Sequence, residues 1–229
     1  MRRRWLFAAV FCLVLFVLAI PKLFVVPRLS QRLEAELIDY FSAEGGEVYL
    51  IAPWGWELLF GRIPAADMVL TNVRVDGLTL AQVEVQGRDI RFAWEEGEFV
   101  YQGASDLTGT LTVTEEALNE IYWREVDPER DLRVEIEPDQ LVLVGAVPFW
   151  TTEISIELRG SLEVWGRSGL RLVLQNLEVE STRVPPFLLE VLNENYDVTL
   201  DLSIFPEPTE ISAVVLEQGK VLIDIGVVR

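Results

Sequence analysis

Alternation of apolar and polar residues with a period of two constrains this chain more than any other feature of its sequence. The clearest case begins at Ile154, where apolar residues or glycine at even positions alternate with acidic, arginine or serine residues at odd ones. Successive side chains of a β-strand point to opposite faces, so each such segment predicts a strand with one apolar face. Connections carrying Gly, Pro, Asp or Asn predict an antiparallel sheet. The strands predicted in this way are 47–52, 67–75, 78–86, 106–113, 132–137, 153–164, 170–180, 198–204, 210–216 and 220–225, and a further predicted strand, 141–147, is apolar on both sides.

Two of these segments shift their apolar phase by one residue part-way along. Leu80 is followed by Val83, and Leu174 by Leu177, where strict alternation would place the next apolar residue one position earlier. An extra residue in one strand of a pair is a β-bulge, which bends the strand and increases its twist. The sequence therefore predicts bulges and local bending in both strands.

Three segments have helical rather than strand character. Residues 28–43 carry apolar side chains at four-residue spacing and are followed by two glycines, which predicts an amphipathic helix. Thr114 is a suitable N-cap for a second helix, because two glutamates occupy the first turn after it. A pair of prolines opens a third, short apolar helix at 185–192.

The predicted strands carry more apolar surface than three short helices can cover. We therefore expect a mainly β protein of the α+β class, in which a strongly curved antiparallel sheet wraps around the amphipathic helix. The inside of such a sheet would be a groove lined by Leu, Val and Ile, which suits an apolar ligand.

The N-terminus has the sequence of a membrane anchor. Three arginines at 2–4 precede an apolar run at 5–26, and 22 helical residues span about 33 Å, close to the thickness of a hydrocarbon core. We expect residues 1–26 to form a transmembrane helix and 27–229 one β-rich domain. Basic residues stay in the cytoplasm, which places the domain outside it. A cleaved signal, leaving a secreted or periplasmic domain, is the alternative, although no small-residue cleavage site appears around Pro21.

The composition excludes several classes of function. The net charge of −18 opposes binding to nucleic acid, and contact with lipid would then depend on apolar burial. The chain has no histidine, which excludes His-dependent catalytic triads and the commonest metal ligand. Its single cysteine, Cys12, allows no intrachain disulfide. Since no phosphate-binding glycine loop or calcium loop is present, the sequence predicts no cofactor and no metal.

Candidate contacts with lipid lie in three apolar segments that contain aromatic residues. Tryptophan favours the membrane interface because its ring is apolar and its N–H stays hydrated. The alternative is that these side chains fill the end of the β core. The candidates are Trp54, Trp56, Leu58, Leu59, Phe60, Phe149, Trp150, Phe187 and Leu188. Arginines that flank apolar stretches could hold a lipid phosphate through two hydrogen bonds, and these are Arg28, Arg62 and Arg183.

Four stretches resemble the LmeA-like phospholipid-binding proteins of bacterial envelopes. They are the helix 28–43 with the apolar loop that ends at Ile63, the segment 109–119, the segment 184–189, and the closing strands at 211–226. The resemblance covers nearly everything after the anchor and implies extracytoplasmic lipid binding and a layout similar to tubular lipid-binding folds. The shared stretches are helix starts, turns and apolar faces, and none is catalytic.

The leading hypothesis is a non-enzymatic, membrane-anchored protein of the bacterial envelope that binds or transfers phospholipid. One alternative is a structural or adaptor protein with a filled core and a polar partner surface. Another is a carboxylate-dependent hydrolase that uses acids of the loops 95–98 or 127–131. The sequence leaves the lipid, any protein partner and the oligomeric state open.

Overall fold

Antiparallel strands dominate the computed structural model, which describes residues 20–75, 77–95, 98–149, 152–179, 182–183, 199–201 and 209–227. A π-helical segment, Pro21–Val25, leads into helix α1; the helices are α1 Val26–Tyr40, α2 Trp56–Leu59 and α3 Glu115–Glu125. The strands are β1 Gly45–Ile51, β2 Arg62–Val75, β3 Leu78–Glu95, β4 Glu98–Gly103, β5 Asp106–Thr114, β6 Leu132–Glu137, β7 Gln140–Phe149, β8 Thr152–Trp165, β9 Gly169–Val179, β10 Thr182–Arg183, β11 Thr199–Asp201, β12 Thr209–Glu217 and β13 Lys220–Val227.

The strands form two sheets, where the sequence predicts one. Sheet A has the order β1-β2-β3-β5-β13-β12, with β4 also paired to β3. Sheet B has the order β10-β9-β8-β7-β6, with β11 also paired to β9. In the described residues each order ends in two different strands, so neither sheet closes on itself. The prediction of one sheet was wrong because strand periodicity carries no information on which strands pair.

Most predicted elements occur close to their predicted positions, and most strands are longer than expected. Helix α1 begins two residues before the predicted 28–43 and ends at Tyr40. Strand β3 continues to Glu95, and β4, which the sequence did not predict, pairs with its second half. The segment of β4 has no period-two alternation, because Phe99, Val100 and Tyr101 follow one another.

The chain divides into two compact units, and strands β2, β3 and β5 contribute to both. Unit 1 comprises Met1–Leu70 and Glu84–Leu107, and unit 2 comprises Thr71–Val83 and Thr108–Arg229. In unit 1, helix α1 buries Leu29 and Leu33 in a core that also holds Val48, Ile63 and Phe92. The amphipathic pattern predicted for this helix is therefore confirmed.

In unit 2, helix α3 supplies the hydrogen-bonding partners of the outer edge of β6. Asn119, which is 6% exposed, donates to the Val134 carbonyl (2.7 Å) and accepts from the Val134 N–H (2.8 Å). Glu115 accepts from the Ile136 N–H (2.8 Å), and the Trp123 indole donates to the Leu132 carbonyl (2.7 Å). An uncovered edge would leave these backbone groups without partners, so α3 protects this end of sheet B. The predicted cap is also present, since the Thr114 hydroxyl accepts from the backbone N–H of residue 117 (3.3 Å).

Candidate functional site

Among the described side chains of strands β6 to β9, one face of sheet B carries apolar residues and glycine. The register aligns Val134, Leu143, Leu158 and Leu177 in one row across β6 to β9. Alternation along each strand places neighbouring rows on the same face. The other described apolar positions of this face are Leu132, Ile136, Leu141, Ile154, Ile156, Leu162, Val164, Leu170, Leu172, Leu174 and Val179. We call this surface the sheet B apolar face.

Most of the sheet B apolar face is only half-buried. Ile136 and Leu170 are buried, at 0% and 2% exposure, and Val164 is exposed at 42%. The whole central row, from Val134 to Leu177, has intermediate exposure. In a close-packed core, large aliphatic side chains at the centre of a sheet would be almost fully enclosed. This face therefore keeps apolar surface that a ligand can contact.

A β-bulge lies near the middle of this face. Arg159 pairs with Asn176, but the next residue of β8, Gly160, pairs with Leu174, so Gln175 is the extra residue. The Gln175 amide donates to the Ser161 hydroxyl (2.9 Å), which places Gln175 on the polar face. The bulge predicted between residues 174 and 177 is therefore confirmed, and it keeps the apolar side chains on both sides of it on one face.

Arginine–glutamate pairs cover part of the opposite, polar face of sheet B. The Arg159 guanidinium donates to Glu157 (2.6 Å) and to Glu137 (3.2 Å), and Arg133 pairs with Glu135. The hydrogen bond that Arg159 donates to Glu157 is the main cause that raises the pKa of Arg159 above its ordinary value. Valines of β7 share this face, and Val142 is buried at 1% exposure, so the face combines charged pairs with a small apolar part.

A cleft of about 440 Å³ lies beside β6 and β7 in unit 2. The Arg130 guanidinium lies 4.8 Å from the centre of the Trp123 ring. In the same loop, the Asp127 carboxylate accepts a hydrogen bond from the Leu132 N–H (2.7 Å). This contact gives Asp127 a structural role at the start of β6. The cleft is lined by Trp123, Arg130, Asp131, Leu132, Arg133, Val144 and Gly145.

In unit 1, the tryptophan-rich loop before β2 exposes most of its large apolar side chains. Trp54 is 63% exposed, Leu59 55% and Phe60 83%, whereas Leu58 is 2% exposed and belongs to the core. Trp56 is half-buried at the start of α2. Leu58 fills the core and its neighbours face outward, and their contact with lipid stays a prediction.

The same loop packs against the beginning of the helical region. Gly55 has a φ of 77°, and a Cβ at this position would lie 2.6 Å from the Lys22 backbone nitrogen. Only glycine allows both this backbone conformation and so close an approach. At the other end of the loop, the Phe92 N–H donates to the Gly61 carbonyl (2.9 Å). The loop is thus attached to the helix start on one side and to β3 on the other.

The comparison with protein families identifies the chain. A family model described as LmeA-like phospholipid-binding matches residues 28–225. The chain belongs to this family. The resemblance seen in four stretches of the sequence is confirmed, and it extends through both units. No curated protein and no solved structure matches the chain.

The arginines predicted to contact a phosphate in this LmeA-like protein differ in their surroundings. Arg62 donates to Asp89 (3.2 Å from Nε), which raises the pKa of Arg62 and lowers the pKa of Asp89. This guanidinium already has a carboxylate partner. Arg28 is exposed on α1, and Arg183 lies in β10, with its side chain outside the described part of the structure. The assignment of these arginines to a lipid phosphate stays a prediction.

The remaining predicted contacts fall outside the described residues. Phe149 ends β7 but its side chain is not described, and Trp150, Phe187, Leu188 and the predicted helix 185–192 lie outside the described ranges. Of the predicted anchor at 1–26, residues 1–19 also lie outside them. Among the residues that are described, no helix is both long and apolar enough to span a bilayer.

The sequence predicted an apolar groove inside a curved sheet but could not say which strands line it. The signal was the alternation in β6, β8 and β9, and only the register shows that their apolar residues share one face with those of β7. Metal-binding groups of three or more acidic or cysteine side chains are absent from the described ranges.

Proposed function

We propose that this protein binds phospholipid by laying an acyl chain along the sheet B apolar face. The observation that carries the proposal is the intermediate exposure of its central row, in a chain of a phospholipid-binding family. An acyl chain covering these side chains would remove apolar surface from water, at about 25 cal/mol per Å². The Gln175 bulge supports bending of the sheet, so that the face forms the groove expected of a strongly curved sheet.

The proposed setting is the outer surface of the cytoplasmic membrane in a bacterial envelope. The triple arginine at 2–4 and the apolar run at 5–26 support an uncleaved anchor with a cytoplasmic N-terminus, followed by the domain 27–229. Membrane lipids are the proposed partners, and the role is binding or transfer rather than catalysis. Cleavage of the N-terminal segment would instead leave a secreted or periplasmic protein with the same binding face.

Lipid recovery from the purified full-length chain tests this function. The protein is extracted from membranes in mild detergent, and bound lipids are identified by mass spectrometry. We expect phospholipid to accompany the protein, and Leu158→Gln to lose most of it, because a polar amide would interrupt the central row. Val173→Gln is the matched control, since Val173 lies on the polar face opposite Ser161.

The comparison of these two variants separates bound lipid from lipid that accompanies the anchor. Both variants carry the same residues 1–26, so lipid around the anchor is equal in both. Circular dichroism checks that each variant keeps its strand content. Equal lipid recovery from Leu158→Gln, Val173→Gln and the unmodified chain would contradict the proposal.

The polar face of sheet B supports a second candidate function, that of an envelope adaptor. Arg159 joins two glutamates from different strands, which gives this face an ordered pattern of charge. Charged groups in a fixed pattern favour recognition of a complementary protein surface. An adaptor of this kind would purify without lipid. Its contacts with a partner protein would be weakened by Arg159→Ala but not by Leu158→Gln.

A further inference from the structure

A second apolar surface lies in unit 1 and is formed by residues that do not belong to sheet B. Leu23 is 63% exposed and Phe24 54% in the π-helical segment, and Trp54, Leu59 and Phe60 are exposed in the adjoining loop. We call these five residues the interfacial cluster. Single exposed apolar residues are common on protein surfaces, but a group of five large ones in two adjoining segments indicates a binding surface.

The two parts of the interfacial cluster are held together by backbone packing. Gly55 lies against the backbone of Pro21 and Lys22, so the loop cannot move away from the helix start without losing this contact. Leu58 attaches the loop to the core of unit 1, because it is buried in the same core as Leu29. The exposed side chains are therefore presented by a fixed framework.

The local charge around the cluster is opposite in sign to that of the whole chain. Residues 20–30 and 51–62 contain the basic side chains Lys22, Arg28 and Arg62 and the acidic Glu57, and since Arg62 is paired with Asp89, the local sum is +1. The complete chain has a net charge of −18. Apolar and aromatic side chains flanked by basic ones are typical of surfaces that bind the interface of anionic membranes.

The position of the cluster in the chain also points to a membrane. The π-helical segment lies at the C-terminal end of the apolar run 5–26, with Ile20 as its N-cap. A surface this close in sequence to a proposed membrane anchor is held near lipid whenever the anchor is inserted.

We propose that the interfacial cluster is a docking surface for the headgroup region of an anionic bilayer. Trp54, Leu59 and Phe60 enter the boundary between headgroups and acyl chains together with Leu23 and Phe24, while Lys22 and Arg28 face anionic headgroups. The surface holds unit 1 against the membrane and does not require an acyl chain on sheet B. It thus goes beyond the proposed lipid-binding function.

A probe attached to the loop of the full-length chain tests the docking surface. Cys12→Ser removes the single cysteine, and Phe60→Cys then carries an environment-sensitive fluorophore. The protein is reconstituted in phosphatidylcholine vesicles, with or without phosphatidylglycerol, that contain nitroxide lipids labelled near the headgroup. An interfacial surface lies about 5–10 Å into the headgroup boundary, so the nitroxide should reduce the emission by at least about twofold.

Tyr40→Cys is the matched control. Tyr40 is 71% exposed, belongs to the same unit, and ends α1, so it lies about 24 Å along the helix from Phe24. We expect its probe to be unaffected by nitroxide lipids and the probe at position 60 to respond more strongly when phosphatidylglycerol is present. Neither measurement depends on lipid recovery. The proposal of a docking surface can therefore be contradicted without contradicting the proposal of an acyl-chain site, and the reverse also holds.

Three results would overturn the docking surface. Water-like emission at position 60, equal to that at position 40, would show no membrane contact. Equal quenching at positions 60 and 40 would show that the protein adheres to the membrane without using a specific surface. A blue-shifted probe at position 60 without nitroxide quenching would show that a protein, either a partner or a second copy of this chain, covers the cluster.

Discussion

The apolar faces of the two sheets in unit 2 consist of the same residue types but have different surroundings. On sheet A, Leu111 and Ile223 face each other across β5 and β13 with 0% and 1% exposure. On sheet B, Leu143 and Leu158 face each other across β7 and β8 and both keep intermediate exposure. Apolar alternation thus produces a sealed core in one sheet and a partly open surface in the other. The first stabilises the fold, and the second leaves apolar area for a ligand.

Truncation of one leucine in each sheet gives the largest expected contrast. Leu111→Ala should lower the free energy of unfolding by about 2–5 kcal/mol, because it removes a buried side chain and leaves a cavity. Leu143→Ala should cost about 1–2 kcal/mol, since part of that side chain is already in contact with solvent. Denaturant unfolding followed by circular dichroism measures both. Equal losses would show that the sheet B apolar face is as enclosed as sheet A.

Loss of the covered edge should weaken sheet B without changing its apolar face. Asn119→Ala removes both hydrogen bonds to Val134 and should cost about 1–3 kcal/mol, because buried backbone groups lose their partners. Asn119→Asp keeps an acceptor for the Val134 N–H but places a buried oxygen against the carbonyls of Glu115 and Val134, so denaturant unfolding should show at least as large a loss as for Asn119→Ala. A neutral Asn119→Ala variant would mean that helix α3 does not protect this edge.

Removal of the α3 cap should have a smaller effect. Thr114→Ala deletes the hydroxyl that accepts from the backbone N–H of residue 117, at a cost of about 1 kcal/mol. Thr114→Ser keeps the hydroxyl and is the control. In thermal unfolding, the Tm of Thr114→Ser should be close to that of the unmodified protein, and the Tm of Thr114→Ala should be lower. The reverse order would contradict the assignment of the cap.

The exposed ion pair between Arg62 and Asp89 should contribute least to the stability of the fold, and it should do so only above acidic pH. Arg62 lowers the pKa of Asp89 in the folded protein, so the pair stabilises the fold above the ordinary Asp pKa of about 4. This stabilisation is lost as the pH falls through the lowered pKa. Asp89→Asn should therefore lower Tm slightly at pH 7, and the difference from the unmodified chain should disappear in strong acid. A difference that persists in acid would mean that charge is not its origin.

Local features of the fold were predictable because their causes are local. The strands follow from period-two alternation, α1 from four-residue spacing, and the start of α3 from the capping hydroxyl of Thr114. The bulge at Gln175 was visible as a one-residue shift between apolar neighbours. Strand β4 was missed because three large residues in succession have no period.

The candidate sites were predictable only in part. The sequence pointed to Trp54–Phe60 as a segment, but it could not separate the buried Leu58 from the exposed Phe60, because the two are alike in hydrophobicity. Nor could it place Gly55 against Lys22, which depends on how the loop folds back on the helix start. Contacts between distant positions of the chain decide both the burial of Leu58 and the packing of Gly55 against Lys22.

The sequence by itself determined the apolar and polar sides of the strands, the helix starts, the bulge and the charge that excludes nucleic acid. Each of these depends on residues a few positions apart, whose geometry the backbone dictates. Only the tertiary structure decided that the strands form two sheets and that Leu111 is sealed while Leu158 stays accessible. Pairing and burial are set by which distant segments meet, and alternation looks the same whether the apolar side meets protein or leaves room for a lipid.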